Sequence, residues 1–155
     1  MPEPTAHAMT QLFSQLIGRK VSFAQAKPAA AATVKQMYGL YTVLPQETVI
    51  VVKADLPLLG SFAGALVGLQ QDAVKQQLAE TPLGELLRDA IHEVLNIASA
   101  VVTNEGRAVF KKMAADPVYF DNFDAQFLQK PDRKTLFDVS VDGYQGGKFT
   151  IFAQL

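Results

Sequence analysis

Asp89, Glu93 and Asn96 place two acids and an amide four and three residues apart within a stretch of helical periodicity. Residues three or four apart on a helix have Cβ atoms about 5 to 6 Å from one another, so Glu93 and Asn96 can engage the same object. Glu85 extends the stripe by one more turn. A solvated helix face explains the same spacing, and spacing by itself favours that reading, because an acid and an amide three apart are common.

Other chemistry is poorly served. Gly60 directly precedes Ser61 and the next glycine is Gly64, which is not the spacing of a nucleophile elbow, so Ser61 reads as a strand serine. No Walker A pattern is present, and no glycine-rich turn suits a dinucleotide. With His7 and His92 as the only histidines, one of them near a chain end expected to be flexible, a histidine metal cluster is not supported. His92 reads as a surface residue. The absence of Cys removes disulfides, thiolate metal sites and a thiol nucleophile.

A chain of 155 residues is long enough to build one core, and ten Phe with four Tyr supply its bulk in the absence of Trp. Fourteen basic residues against fifteen acidic ones form no basic run, which disfavours nucleic acid and anionic membrane as partners. The partner is expected to be protein or small molecule. Met1 to Ala8 lacks the charged and apolar regions of a secretory signal, and Leu56 to Leu69 is too short to span a membrane, so a cytoplasmic protein is expected.

The elements that must position the stripe follow from periodicity. Ala8 to Ile17 has a helical apolar face, with Gly18 as its C-terminal cap. Val21 to Gln25 reads as a strand and Lys27 to Ala32 as a loop. Thr33 to Leu44 and Glu47 to Ala54 read as a hairpin. Leu58 to Leu69, punctuated by Gly60, Gly64 and Gly68, fits a bent strand better than a helix. Gln71 to Ala79 is a short helix. The signature helix then runs from Pro82 to Val102, with Thr81 as its cap, over roughly 30 Å at about 1.5 Å per residue. Ala108 to Met113 is expected to be a short helical turn, Val118 to Phe120 a strand and Asp121 to Arg133 a surface loop. Leu136 to Val141 and Lys148 to Ala153 form a terminal hairpin. The whole is a single α+β domain, with residues 1–8 flexible.

Asp89-x-x-x-Glu93-x-x-Asn96, followed by Pro117, resembles the signature of the CheC/CheX/FliY chemotaxis phosphatases. The glycine-punctuated Leu58 to Leu69 looks like the strand ahead of that family's signature helix, and Asp138 to Tyr144 is similar to its closing hairpin. The likeness runs from about Met9 to the C-terminus, although its sequence-specific part is short. It implies a CheC-like fold, a mainly antiparallel sheet with long helices packed on it. Some members carry a second site on an equivalent helix, but here Gln11 and Ser14 stand where Glu and Asn would be needed. A single-site arrangement like CheX is implied, and with it a homodimer. Pro117 lies slightly nearer the helix than is usual in the family.

The resemblance further implies that the substrate is a phosphorylated CheY-type receiver domain, which supplies both the aspartyl phosphate and the Mg²⁺, so that this chain needs no cofactor of its own. Asn96 would hold the attacking water, Glu93 would pair with a receiver lysine, and Asp89 would support the same contact. Two alternatives stand beside the phosphatase: a non-catalytic module binding a receiver or a flagellar switch component, and a small-molecule-binding regulatory domain, of which the sequence carries no direct sign.

Overall fold

The computed structural model describes residues 4–27, 34–80, 83–104, 106–117, 120 and 126–155. Helix α1 (Ala6–Ile17) starts at Thr5, whose hydroxyl accepts from the Ala8 N–H, and ends at Gly18 in the left-handed conformation, φ 65°. Within residues 1–8, expected to be flexible, Pro4 is buried and the capped helix has begun by Ala6. β1 (Val21–Gln25) follows, and then the expected hairpin of β2 (Gln36–Leu44) and β3 (Thr48–Asp55). Residues 28–33, most of the expected loop, lie outside the described residues.

The chain departs most from expectation at the glycine-punctuated stretch, which is a helix, α2 (Leu56–Val67), and not a strand. The glycines serve close helix packing. A Cβ on Gly60 would sit 2.8 Å from Cδ1 of Leu78, and one on Gly64 would overlap Cγ2 of Val74, both on α3 (Gln71–Leu78). The helix-weakening effect of glycine, about 1 kcal/mol per residue, is here offset by the close approach of α3. Ser61 is accordingly a helix residue. Its hydroxyl lies 3.0 Å from the Pro57 carbonyl and 2.5 Å from that of Gln145, tying α2 to the terminal hairpin.

The signature helix, α4 (Glu85–Ile97), is shorter than the Pro82 to Val102 expected, about 20 Å at 1.5 Å per residue. Gly84 takes the N-cap position, while Thr81 and Pro82 lie outside the described residues. At its other end the helix tightens into a 3₁₀ turn, Ala98–Ala100. Arg107–Ala114 is then a strand, β4, where a helical turn was expected. A bulge explains the misleading pattern: Leu40 pairs with Lys112 but Tyr41 with Phe110, so strict alternation breaks at Lys111 and both Phe110 and Met113 pack on the helix-side core. Of the expected Val118 to Phe120 strand only Phe120 is described. Within the expected loop, Gln126–Gln129 forms a single helical turn, α5.

β5 (Arg133–Val141) and β6 (Tyr144–Ala153) form the terminal hairpin, with a turn at Asp142 and Gly143 shorter than the loop expected. All pairings are antiparallel, in the order β1-β5-β6-β3-β2-β4. Helices α1, α2 and α4 cover one face, where Phe13 stacks on Phe62 at 4.5 Å and on Phe23 at 5.2 Å. Alternate strand residues Val51 and Phe152 face the other way and are covered by Phe120, with Phe127 and Leu128 of α5 packed on them. No helix among the described residues is long and apolar enough to cross a membrane.

Candidate functional site

The apolar stripe of α4, Leu87, Ala90, Ile91, Val94 and Leu95, is buried against the sheet and α2. That orientation leaves Glu85, Asp89, Glu93 and Asn96 exposed on the opposite side. The three residues singled out on this helix thus share one solvent-facing surface, as their spacing requires.

Two contacts from behind fix the turn that displays them. Tyr41 on β2 is fully buried, and its hydroxyl donates to the Leu95 carbonyl at 2.5 Å. Burial pushes the Tyr41 phenol well above its ordinary pKa, so it remains a donor across the physiological range. Beside it Gly39 leaves room for the Tyr41 ring: a Cβ there would lie 3.3 Å from Tyr41 Cε1, tighter than an ordinary contact. On the outer flank the His92 ring meets Phe110 of β4 at 4.8 Å, and Phe110 in turn lies 5.2 Å from Tyr41. His92 is exposed, as expected of a surface residue, yet its ring is part of this packing.

Pro117 is placed differently. Its carbonyl accepts from the Phe120 N–H at 3.0 Å, and Phe120 packs on the far face of the sheet. Its neighbour Asp116 lines a cavity with Leu83, just ahead of the first turn of α4, whereas Asn96 is in the last turn. Pro117 thus belongs to the end of the fold where α4 begins, and no described contact joins it to Glu93 or Asn96.

On the first helix, Ser14, one of the two positions that lack the signature residues, makes structural contacts. Ser14 Oγ accepts from the Val21 N–H at 3.1 Å and lies 3.2 Å from the Val21 carbonyl, and Thr10 Oγ1 accepts from the Phe23 N–H at 3.0 Å. These residues satisfy Val21 and the Phe23 N–H on the outer backbone edge of β1, groups that would otherwise be open for pairing.

Two features escaped sequence reasoning. Leu86 is 56% exposed, three residues before Asp89 and seven before Glu93, so an apolar side chain flanks the acidic stripe. The second is a cavity of about 480 Å³ lined by Met37, Tyr38, Leu56, Leu78 and Leu83 with Lys35, Glu80 and Asp116 at its polar parts. Burial, and secondarily the Asp116 carboxylate, raise the Tyr38 pKa. The lining comes from segments far apart in the chain, which no local pattern could reveal. Among the described residues, no group of three or more His, Asp or Glu stands where it could hold a metal ion.

No protein-family model matches the chain, and no curated protein matches its sequence. Solved structures do. The FliM middle domain from H. pylori superposes with a TM-score of 0.56 at 11% identity, over 96% of this chain and 84% of that one. FliM in the FliG–FliM complex from H. pylori gives 0.55 at 9% identity, over 98% and 87%. Thermotoga maritima FliY gives 0.52 at 13% identity, over 93% and 81%. Likeness at such low identity establishes architecture, and the architecture agrees with that implied by the sequence resemblance: the chain has the α+β fold shared by FliY and the FliM middle domain.

Proposed function

We propose that this chain is a phosphatase of a phosphorylated CheY-type receiver domain. The observation that carries this reading is the joint exposure of Glu93 and Asn96 on one face of a helix anchored from behind, in a chain with the fold of FliY. In the reaction, water attacks the phosphorus of the receiver's aspartyl phosphate, the bond from phosphorus to the aspartate oxygen breaks, and inorganic phosphate leaves the regenerated carboxylate. Asn96 enters the receiver site and orients that water, because a carboxamide both accepts and donates hydrogen bonds. Phosphoryl transfer asks little covalent chemistry of a protein, so positioning can supply much of the acceleration. Glu93 pairs with a receiver lysine, and Asp89 extends the acidic contact. The receiver brings its own Mg²⁺, and the chain works in the cytoplasm as a homodimer. The test is the lifetime of phosphate on candidate receivers, with the parent protein and with Asn96→Ala: the parent shortens it and the variant does not. Equal lifetimes with both would sink the reading.

A second reading has its own support. The H. pylori FliM domain of the same fold is seen in complex with FliG, so this architecture also serves assembly. A non-catalytic module binding a receiver or switch component would bind its partner without altering the phosphate lifetime.

A further inference from the structure

We infer that Tyr41 is a positioning residue for Asn96, a role that rests on the phosphatase reading. Each proposed site residue directly follows an anchored one: Asn96 follows Leu95, and Glu93 follows His92. The two anchors differ in kind. His92 is held by a ring contact with Phe110, whereas Leu95 is held through its main chain, by a hydrogen bond from the Tyr41 hydroxyl. The Leu95 carbonyl lies where α4 tightens into the 3₁₀ turn Ala98–Ala100, a place where regular helical hydrogen bonding changes and a carbonyl needs another donor. The buried phenol supplies it, and so fixes the rotation of the last turn, and with it the direction of the Asn96 side chain.

The strand is shaped for this contact. Gly39 and Tyr41 alternate onto the helix side of β2, where a Cβ on Gly39 would crowd the Tyr41 ring at 3.3 Å, and the ring so accommodated captures the Leu95 carbonyl. The bulge in the β2–β4 ladder falls between Leu40 and Tyr41, which brings Phe110 opposite Tyr41 and against both rings. Bulges commonly re-aim a side chain beside a functional site. Here the side chain so placed links the hydroxyl anchor to the His92 anchor. Asn96 therefore projects from a turn whose backbone is held by the sheet, and a misplacement of about 1 Å at a catalytic group can cost on the order of a hundred-fold in rate.

The experiment is single-turnover and steady-state dephosphorylation of the cognate receiver by the parent protein, Asn96→Ala, Tyr41→Phe and Phe110→Leu, each melted alongside. Tyr41→Phe retains the ring and removes only the hydroxyl. It is expected to lower kcat about ten-fold while KM for the phosphorylated receiver stays within two-fold, because Glu93 still docks. Phe110→Leu, at a half-buried position on an edge strand, is expected to move kcat in the same direction and keeps the test available if Tyr41→Phe does not fold. Folded variants with parental kcat, or a loss carried by KM, would overturn the role while leaving the phosphatase reading intact. Identical phosphate lifetimes with the parent and Asn96→Ala would overturn both.

Discussion

Gly64 on α2 faces Val74 on α3 across a gap too small for one methyl group, since a Cβ on the glycine would overlap Cγ2 of the valine. Val74 is itself fully buried. Gly64→Ala therefore sets a helix-propensity gain of about 1 kcal/mol against an overpacking cost of about 1 to 3 kcal/mol. An overlap this close with a buried side chain puts the cost at the upper end, so the expected result is net destabilisation. Chemical denaturation should show a lower midpoint with an unchanged slope; a midpoint equal to or above the parent's would show that α3 can simply move away.

Asn96→Ala should leave the melting temperature where it is, because the side chain is exposed and makes no described contact with the core. The loss of receiver dephosphorylation should nonetheless be large, on the order of a hundred-fold if water positioning is the main contribution. A parallel fall in stability and turnover would instead point to a structural role.

Glu93→Lys tests docking apart from chemistry. If Glu93 meets a receiver lysine as proposed, reversing its charge introduces like-charge repulsion, so the dissociation constant should rise and the effect should shrink at high salt. Titration of the receiver at two ionic strengths reads this directly, and an affinity indifferent to both the substitution and the salt would remove Glu93 from the contact.

Ser14→Ala asks whether the first helix is structural. The substitution removes the partner of the Val21 N–H at the sheet edge, with an expected cost of about 1 to 3 kcal/mol for a part-buried group left without its bond. Turnover per folded molecule should not change. A selective loss of turnover would mean that α1 contributes to the site after all.

The homodimer is checked by sedimentation velocity, where the expected species has twice the chain mass and persists on dilution. A monomer at all concentrations would separate this chain from the arrangement its sequence resemblance implies.

Local pattern was sufficient wherever one element faces one environment. Alternation marked β1, the β2–β3 hairpin and the β5–β6 hairpin, and the 3.6-residue period marked α1, α3 and the exposed stripe of α4 that carries Asp89, Glu93 and Asn96. It misled where a neighbour changed the rule. α2 is nearly apolar on all sides of its first two turns, so it has no strong period of its own, and its glycines became intelligible only with α3 packed against them. β4 lost its alternation to a bulge that exists only in its pairing with β2. The Glu93–Asn96 pair was legible because three residues of helix bring its members together. The grip of Tyr41 on Leu95 was not: 54 residues separate them, and a contact of that range is decided by how helix and sheet pack, which no local spacing records.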